Sequence, residues 1–424
     1  MLKSMTRRHT AFIFTMIFLL AVVSSTSAQS GATRPRRAIP TQPAQTPTPA
    51  PTTRRGADTA SSPTTPAATP AATSARPNTS PATTTPASGT TDTTRAYTLL
   101  QQKQYAEAAK EAAQVSARDP KNSEAWKIAG FAKLSLRQFA EAASDLQRAL
   151  DLQRAAKEDD APTIDALAQA YVRSENFEKA LPLLTVVTTR KGATPDPLML
   201  YYRGFAEYKT NKFAEAETSF NAAIKADPKN SLALFYLGRI AYDRKSDDAA
   251  INALNRATIS DPRLAEAWTY LTYSYLRRAD AATGPKAEAD YQGAVRASEG
   301  LLKVRSDEPT TTLHAQALIR AQQYARAAAA LERIAATPNA QGSTLYLLGF
   351  AHSRAKNFPK AVAALDRAAA KSPDDVNIYR ELGYAQEASK QYAKALAAYE
   401  KGLALAPTDE YFKESVERVK PFAK

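Results

Sequence analysis

Catalysis needs titratable or nucleophilic side chains that converge, and this chain is poor in them. It has no cysteine, so thiolate metal sites, disulfides and a Cys nucleophile are all excluded. Histidine occurs three times, at His9, His314 and His352, too sparsely for a His-based metal cluster. There is no Gly-rich phosphate loop, no Gly-x-Ser-x-Gly turn and no His-Glu-x-x-His. The paired acids Asp159–Asp160 and Asp374–Asp375 fall in connections, where a carboxylate caps the helix that follows. The residues left with chemistry to offer are aromatics and arginines. Together they are the side chains of binding hot spots. The reading is therefore non-enzymatic, with no cofactor and no metal.

The elements that must position these residues repeat. From about Thr94 the composition turns to Ala, Leu, Tyr, Lys and Glu at helical spacing. Asp227-Pro228 and Asp261-Pro262 stand 34 residues apart, as do Pro373 and Pro407. Tyr105 and Phe139 keep the same interval, and so do Tyr324, Phe358 and Tyr392. That is the length of a helix–turn–helix repeat. The clearest copy, 342–375, carries Leu345, Leu348, Gly349, Phe358, Ala361, Leu365, Ala368 and Pro373. Its successor carries Tyr379, Leu382, Gly383, Tyr392, Ala395, Tyr399 and Pro407. Earlier copies show Trp126, Gly130, Phe139, Ala142 and Leu146, then Leu200, Gly204, Phe213, Ala216 and Phe220, then Leu234, Gly238, Ala250 and Leu254.

This pattern resembles the tetratricopeptide repeat family. With weaker copies at 94–120, 161–192 and 308–339, and one from Ala265 lengthened by roughly thirteen residues around Ala279–Tyr291, it gives about nine repeats. The resemblance implies an all-α, right-handed superhelical solenoid of stacked hairpins over 93–407. A polar capping helix and tail follow over 408–424. A single hairpin cannot bury its own apolar face, so the hairpins must stack. Pro182, inside a second helix, predicts a kink.

In this family the second, fifth, ninth, twelfth and thirteenth positions of each first helix face a concave groove. Here they hold Tyr201, Phe205, Tyr208, Phe235, Tyr242, Tyr273, Tyr346, Phe350 and Tyr384. Among them lie Lys209, Arg239, Arg277, Arg320, Arg354 and Arg380. The resemblance implies that these residues bind a protein partner, an extended segment or a helix with acidic or aromatic side chains. Some members hold a chaperone tail with a Lys/Asn carboxylate clamp. Those positions here hold Tyr201 with Phe205 and Phe235 with Arg239, a departure from that clamp.

The N-terminal region is a different material. Lys3, Arg7 and Arg8 precede a 13-residue run, Ala11–Val23, that is apolar except for Thr15. Small residues lead to Ala28, so residues 1–28 read as a signal peptide cleaved before Gln29. An uncleaved anchor is the alternative, although the run falls short of the ~20 residues a span needs. Residues 29–92 hold twelve Pro and seventeen Thr, no aromatic residue, and six Arg against two Asp. Such a segment cannot bury enough apolar surface to offset its ordering entropy, and it reads as a disordered linker. The net charge of +14 favours acidic partners or surfaces.

Export places the scaffold in the periplasm or outside the cell and argues against nucleic acid, which aromatic and basic residues could otherwise stack. The rival reading is an envelope polymer-binding module, with the basic arm or groove on peptidoglycan or an anionic glycan. Cleavage predicts that the intact mass of the exported protein begins at Gln29; a product still starting at Met1 would refute it.

Overall fold

The structure is a computed structural model that describes residues 92–423 except Ala193. The signal region 1–28 and the arm 29–92, apart from Asp92, lie outside the described residues. The described residues form one all-α unit, as the repeats imply. Nine helical hairpins follow one another. They are α1 (Thr94–Gln101) with α2 (Tyr105–Arg118), α3 (Ser123–Ser135) with α4 (Phe139–Ala155), and α5 (Ala161–Arg173) with α6 (Phe177–Thr188). Next come α7 (Pro197–Lys209) with α8 (Phe213–Ala226), α9 (Ser231–Asp243) with α10 (Asp247–Ser260), and α11 (Ala265–Asp280) with α12 (Gly284–Val304). The last are α13 (Glu308–Arg320) with α14 (Tyr324–Ala335), α15 (Gly342–Arg354) with α16 (Phe358–Lys371), and α17 (Val376–Ala388) with α18 (Tyr392–Leu405). A final helix, α19 (Glu410–Val419), packs Phe412, Ser415 and Val419 on the last hairpin and leaves its charged face outside. The helix α6 runs unbroken through Pro182. Among the described residues no helix is long and apolar enough to cross a membrane.

Helix starts and hairpin turns are closed by two different devices. Most first helices begin at an Asn or Asp whose side chain accepts a backbone N–H, which satisfies one of the orphan donors of the first turn. Asp160 takes Thr163 N–H at 3.1 Å and Asp375 takes Asn377 N–H at 2.9 Å, so these acids are caps. Inside eight hairpins the turn passes through one non-Gly residue with φ near +60°: Lys103, Arg137, Glu175, Asn211, Lys245, Gln322, Lys356 or Lys390. At Lys356 its N–H bonds to Ser353 C=O at 2.9 Å, and Asn357 N–H bonds to His352 C=O at 2.8 Å. This pair of hydrogen bonds is the Schellman stop. It lets the second helix start without a side-chain cap.

The two helices of a hairpin meet in a close contact at a glycine. A Cβ added at Gly130 would stand 2.5 Å from Leu146 Cγ, one at Gly204 2.7 Å from the Phe220 ring, and one at Gly238 2.5 Å from Leu254 Cγ. Gly349 lies likewise under Leu365, and Gly383 under Tyr399. In each case the large residue follows its glycine by 16 positions. The lengthened hairpin keeps the contact and reverses it. There the first helix supplies Trp268 and Tyr275, and the second supplies Gly300 and Gly293, each ring 2.7 Å from the missing Cβ. The extra residues form no loop. They lengthen α11 and α12 to 16 and 21 residues, against 13 and 14 in α9 and α10.

Each first helix also touches the first helix of the next hairpin, whereas the second helices make no comparable contact with one another. The first helices therefore form the closer-packed, inner row. Filling the seat under Leu365 with Gly349→Leu is expected to cost about 1–3 kcal/mol or more. Because repeats couple mainly to neighbours, hydrogen exchange should rise over 342–407 and stay near its original level over 123–150. Uniform loosening of the array would contradict this.

Candidate partner-binding face

The inner row brings many aromatic rings together, because successive first helices present the same positions side by side. Tyr201 stacks on Phe205 with centroids 6.0 Å apart, and Phe205 meets Phe177 at 5.5 Å and Tyr236 at 5.3 Å. Tyr236 then touches Tyr208 at 5.0 Å and Phe235 at 5.0 Å. Phe235 reaches Tyr270 at 6.0 Å, and Tyr270 meets Tyr242 at 5.3 Å and Tyr273 at 6.5 Å. One connected wall of rings therefore runs from α6 to α11. Such edge and offset contacts add modestly to the area each ring buries.

The predicted residues play different parts in this wall. Tyr201 and Phe235 are only 8% and 5% exposed, so they support the wall from inside rather than line it. Burial pushes the Tyr201 hydroxyl well above the usual tyrosine range. Phe205, Tyr208 and Tyr242 are half-buried, and Tyr273 is 39% exposed. The Tyr208 hydroxyl is raised by burial, with Arg239 pulling in the other direction. Tyr346, Phe350, Arg354, Arg380 and Tyr384 form a second group on α15 and α17, with Tyr346 and Phe350 6.2 Å apart and Tyr384 39% exposed. The intervening α13 offers Thr312 and Gln316 at the equivalent positions, and the aromatic surface is interrupted there.

Spacing from the second, fifth, ninth, twelfth and thirteenth positions missed Phe177, Tyr236 and Tyr270, which join the predicted rings into one network. Tyr236 and Tyr270 both stand at the sixth position of their first helices, and that recurrence was the signal available.

Cations lie on these rings. Arg277 sits 3.9 Å from the Tyr242 centroid, Arg239 4.9 Å from Tyr270 and 5.9 Å from Tyr208, and Lys209 5.5 Å from Phe205. Cation–π contacts of this kind contribute roughly 0.5–1 kcal/mol at exposed sites. Several cations are also held by acids. Arg277 grips Asp247 through Nε and Nη2 at 2.9 and 2.6 Å and donates to Tyr242 C=O. Arg354 pairs with Glu381 at 3.1 Å, Arg320 with Asp280 at 3.0 Å, and Arg380 with Asp409. Buried Glu381 also accepts from Ser353 Oγ at 2.6 Å; desolvation raises its pKa and Arg354 opposes the rise.

Neither histidine of the array takes part in a metal cluster, and no group of three potential ligands occurs among the described residues. His314 is buried, with Nδ1 2.9 Å from Ser298 Oγ. His352 is buried 3.7 Å from Glu332. Both are core residues.

The sequence model of the tetratricopeptide repeat matches residues 93–160, 203–265 and 346–410. The chain carries tetratricopeptide repeats. A solved fragment, the C-terminal part of a repeat-containing protein from Cytophaga hutchinsonii, is similar at 14% identity. That match covers 69% of this chain and 99% of the fragment, with a TM-score of 0.43. YrrB, described as a repeat protein with an unusual peptide-binding site, is similar at 14% identity over 47% of this chain and 97% of its own, with a TM-score of 0.40. A repeat protein from Parabacteroides merdae is similar at 17% identity over 61% and 98%, with a TM-score of 0.37. No curated protein matches the chain by sequence. Proteins of this family are in general non-catalytic scaffolds for protein–protein interaction.

Burial holds the His314 pKa below its ordinary value. The unfolded chain takes up a proton below about pH 6.5 while the folded chain resists it. The stability contributed by neutral His314 is therefore present above that pH and is lost as pH falls below it. The melting temperature should drop less between pH 7.5 and 5.5 in His314→Gln than in the original protein. Equal drops would show that the imidazole is open to water.

Proposed function

We propose that the protein is an exported, non-catalytic scaffold of the periplasm or extracellular space that holds a protein partner along the inner row of first helices. The observation that carries this reading is the aromatic wall across α7, α9 and α11. It is continuous, it is exposed in part, and it is interleaved with arginine and lysine. Rings lose little rotamer entropy on contact, and guanidinium groups add directional charge-assisted bonds, so such a surface favours peptide recognition. The export reading rests on the order of charged, apolar and small residues over 1–28.

The test uses residues that face outward. Arg239 and Tyr273 are partly exposed, so their removal leaves the interior of the wall in place. Crosslinking with mass spectrometry in the native host identifies a partner, and calorimetry measures its affinity. Arg239→Ala combined with Tyr273→Ala should weaken binding by about 2–4 kcal/mol, the range of interface hot spots. The melting temperature should fall by only a few degrees. Unchanged affinity in the folded double variant would refute this face.

A further inference from the structure

The inner row is divided by charge. From α11 onward the cations at its groove positions are answered by carboxylates: Arg277 by Asp247, Arg320 by Asp280, Arg354 by Glu381 and Arg380 by Asp409. From α5 to α9 they are not. Arg173 ends α5 with its guanidinium 4.7 Å from the Phe139 ring. Lys209 ends α7 over Phe177 and Phe205 at 6.0 and 5.5 Å. Among the described residues neither Arg173 nor Lys209 has a carboxylate oxygen within 4.0 Å. Glu175 and Glu178 line the open cleft that Lys209 also lines, short of pairing with it. Besides the Tyr208 and Tyr270 rings, Arg239 meets the carboxylate of Asp243, at 3.9 Å, and its Nε is buried with no acceptor. Three successive first helices thus each hold one cation on an aromatic ring with little or no countercharge.

We infer that this half of the groove is selective for an acidic peptide segment in polyproline II conformation, with a carboxylate at about every third residue. The inference rests on the peptide-binding reading of the same face. Packed helices stand about 8–10 Å apart, so cations on successive first helices recur at roughly that interval. A polyproline II chain rises about 3.1 Å per residue and turns once in three residues, so every third side chain returns to the same face after about that distance. Each carboxylate would take one cation, and the side chains between them would lie against Phe205, Tyr208 and Tyr270. The rings hold the cations in place by their quadrupoles and shield them partly from water, which strengthens a charge pair relative to an open surface. A basic segment is repelled from the same stripe. The C-terminal half, with its arginines already neutralised, has no such preference.

Fluorescence anisotropy of the full chain tests this with a labelled peptide of Glu-Ala-Tyr repeated three times. The comparison peptides have the same composition with the glutamates adjacent, or Lys or Gln in place of Glu. The spaced acidic peptide should bind best and the Lys peptide not at all. Arg173→Gln, Lys209→Gln and Arg239→Gln should each weaken it about three- to tenfold, and all three together at least about thirtyfold. A control variant removes the same charge from second helices through Arg148→Gln, Lys225→Gln and Arg256→Gln, and should stay within about twofold. An equal loss in the control, or equal binding of the clustered-glutamate peptide, overturns the inference. If the Gln peptide binds as well as the acidic one and the groove triple changes nothing, the face still binds peptide and only its acid selectivity falls. If no peptide binds and a native partner ignores Arg239→Ala with Tyr273→Ala, the reading of the face falls as well.

Discussion

The structure depends on one contact, repeated along the chain: a residue without a side chain on one helix seats a large side chain from its partner helix. Gly130, Gly204, Gly238, Gly349 and Gly383 are those seats, and Leu146, Phe220, Leu254, Leu365 and Tyr399 fill them. The seated groups are fully buried, so the hairpin closes around them. An isolated hairpin still exposes its other apolar faces, and the stack exists to cover them. The lengthened hairpin shows that the contact matters more than its direction. With Trp268 and Tyr275 on the first helix, the glycines move to the second, at Gly300 and Gly293. Phe412 of α19 repeats the device at the end of the array by seating on Gly402.

From that contact the inner surface follows. Close hairpins allow consecutive first helices to touch, and touching helices place their rings edge to edge from Phe177 to Tyr273. The wall is core and surface at once. Its deep members, Tyr201 and Phe235, fix the spacing of the repeats, and its shallow members, Tyr208, Tyr242 and Tyr273, face outward. The rings of this surface already pack on one another, so less rotamer freedom would remain to be lost on contact with a partner.

The repeat architecture was legible because glycines, alanines and prolines recur at a period that only stacked hairpins satisfy. Caps at Asp160 and Asp375 were legible for a similar local reason, since an acid just before an apolar run has one common structural use. The depth of each aromatic was not. A ring at the fifth position faces the groove or the next helix according to what the following repeat supplies, and for Tyr201 that supply is Tyr236. Nor was the reversed seat at Gly293 and Gly300, because the insertion shifts the register in which the two helices face each other. The insertion itself was visible as length, while its form as added helical turns depended on tertiary pairing such as Arg278 with Asp248 and Asp290.

Charge pairing across repeats was the least legible feature, and it decides what the groove can do. Arg277 and Arg239 occupy neighbouring first helices, and each lies on a tyrosine face. One is bound by an acid thirty residues earlier in the chain, and the other has a single distant carboxylate. A bound guanidinium stapled to Asp247 holds two hairpins together; for a ligand to recruit it, that pair must first be broken. Arg239, Lys209 and Arg173 require no such exchange. Identical chemistry therefore serves as a fastener in one half of the array and is left with little or no paired acid in the other. The difference lies in where the acids of adjacent repeats fall rather than in the cations themselves.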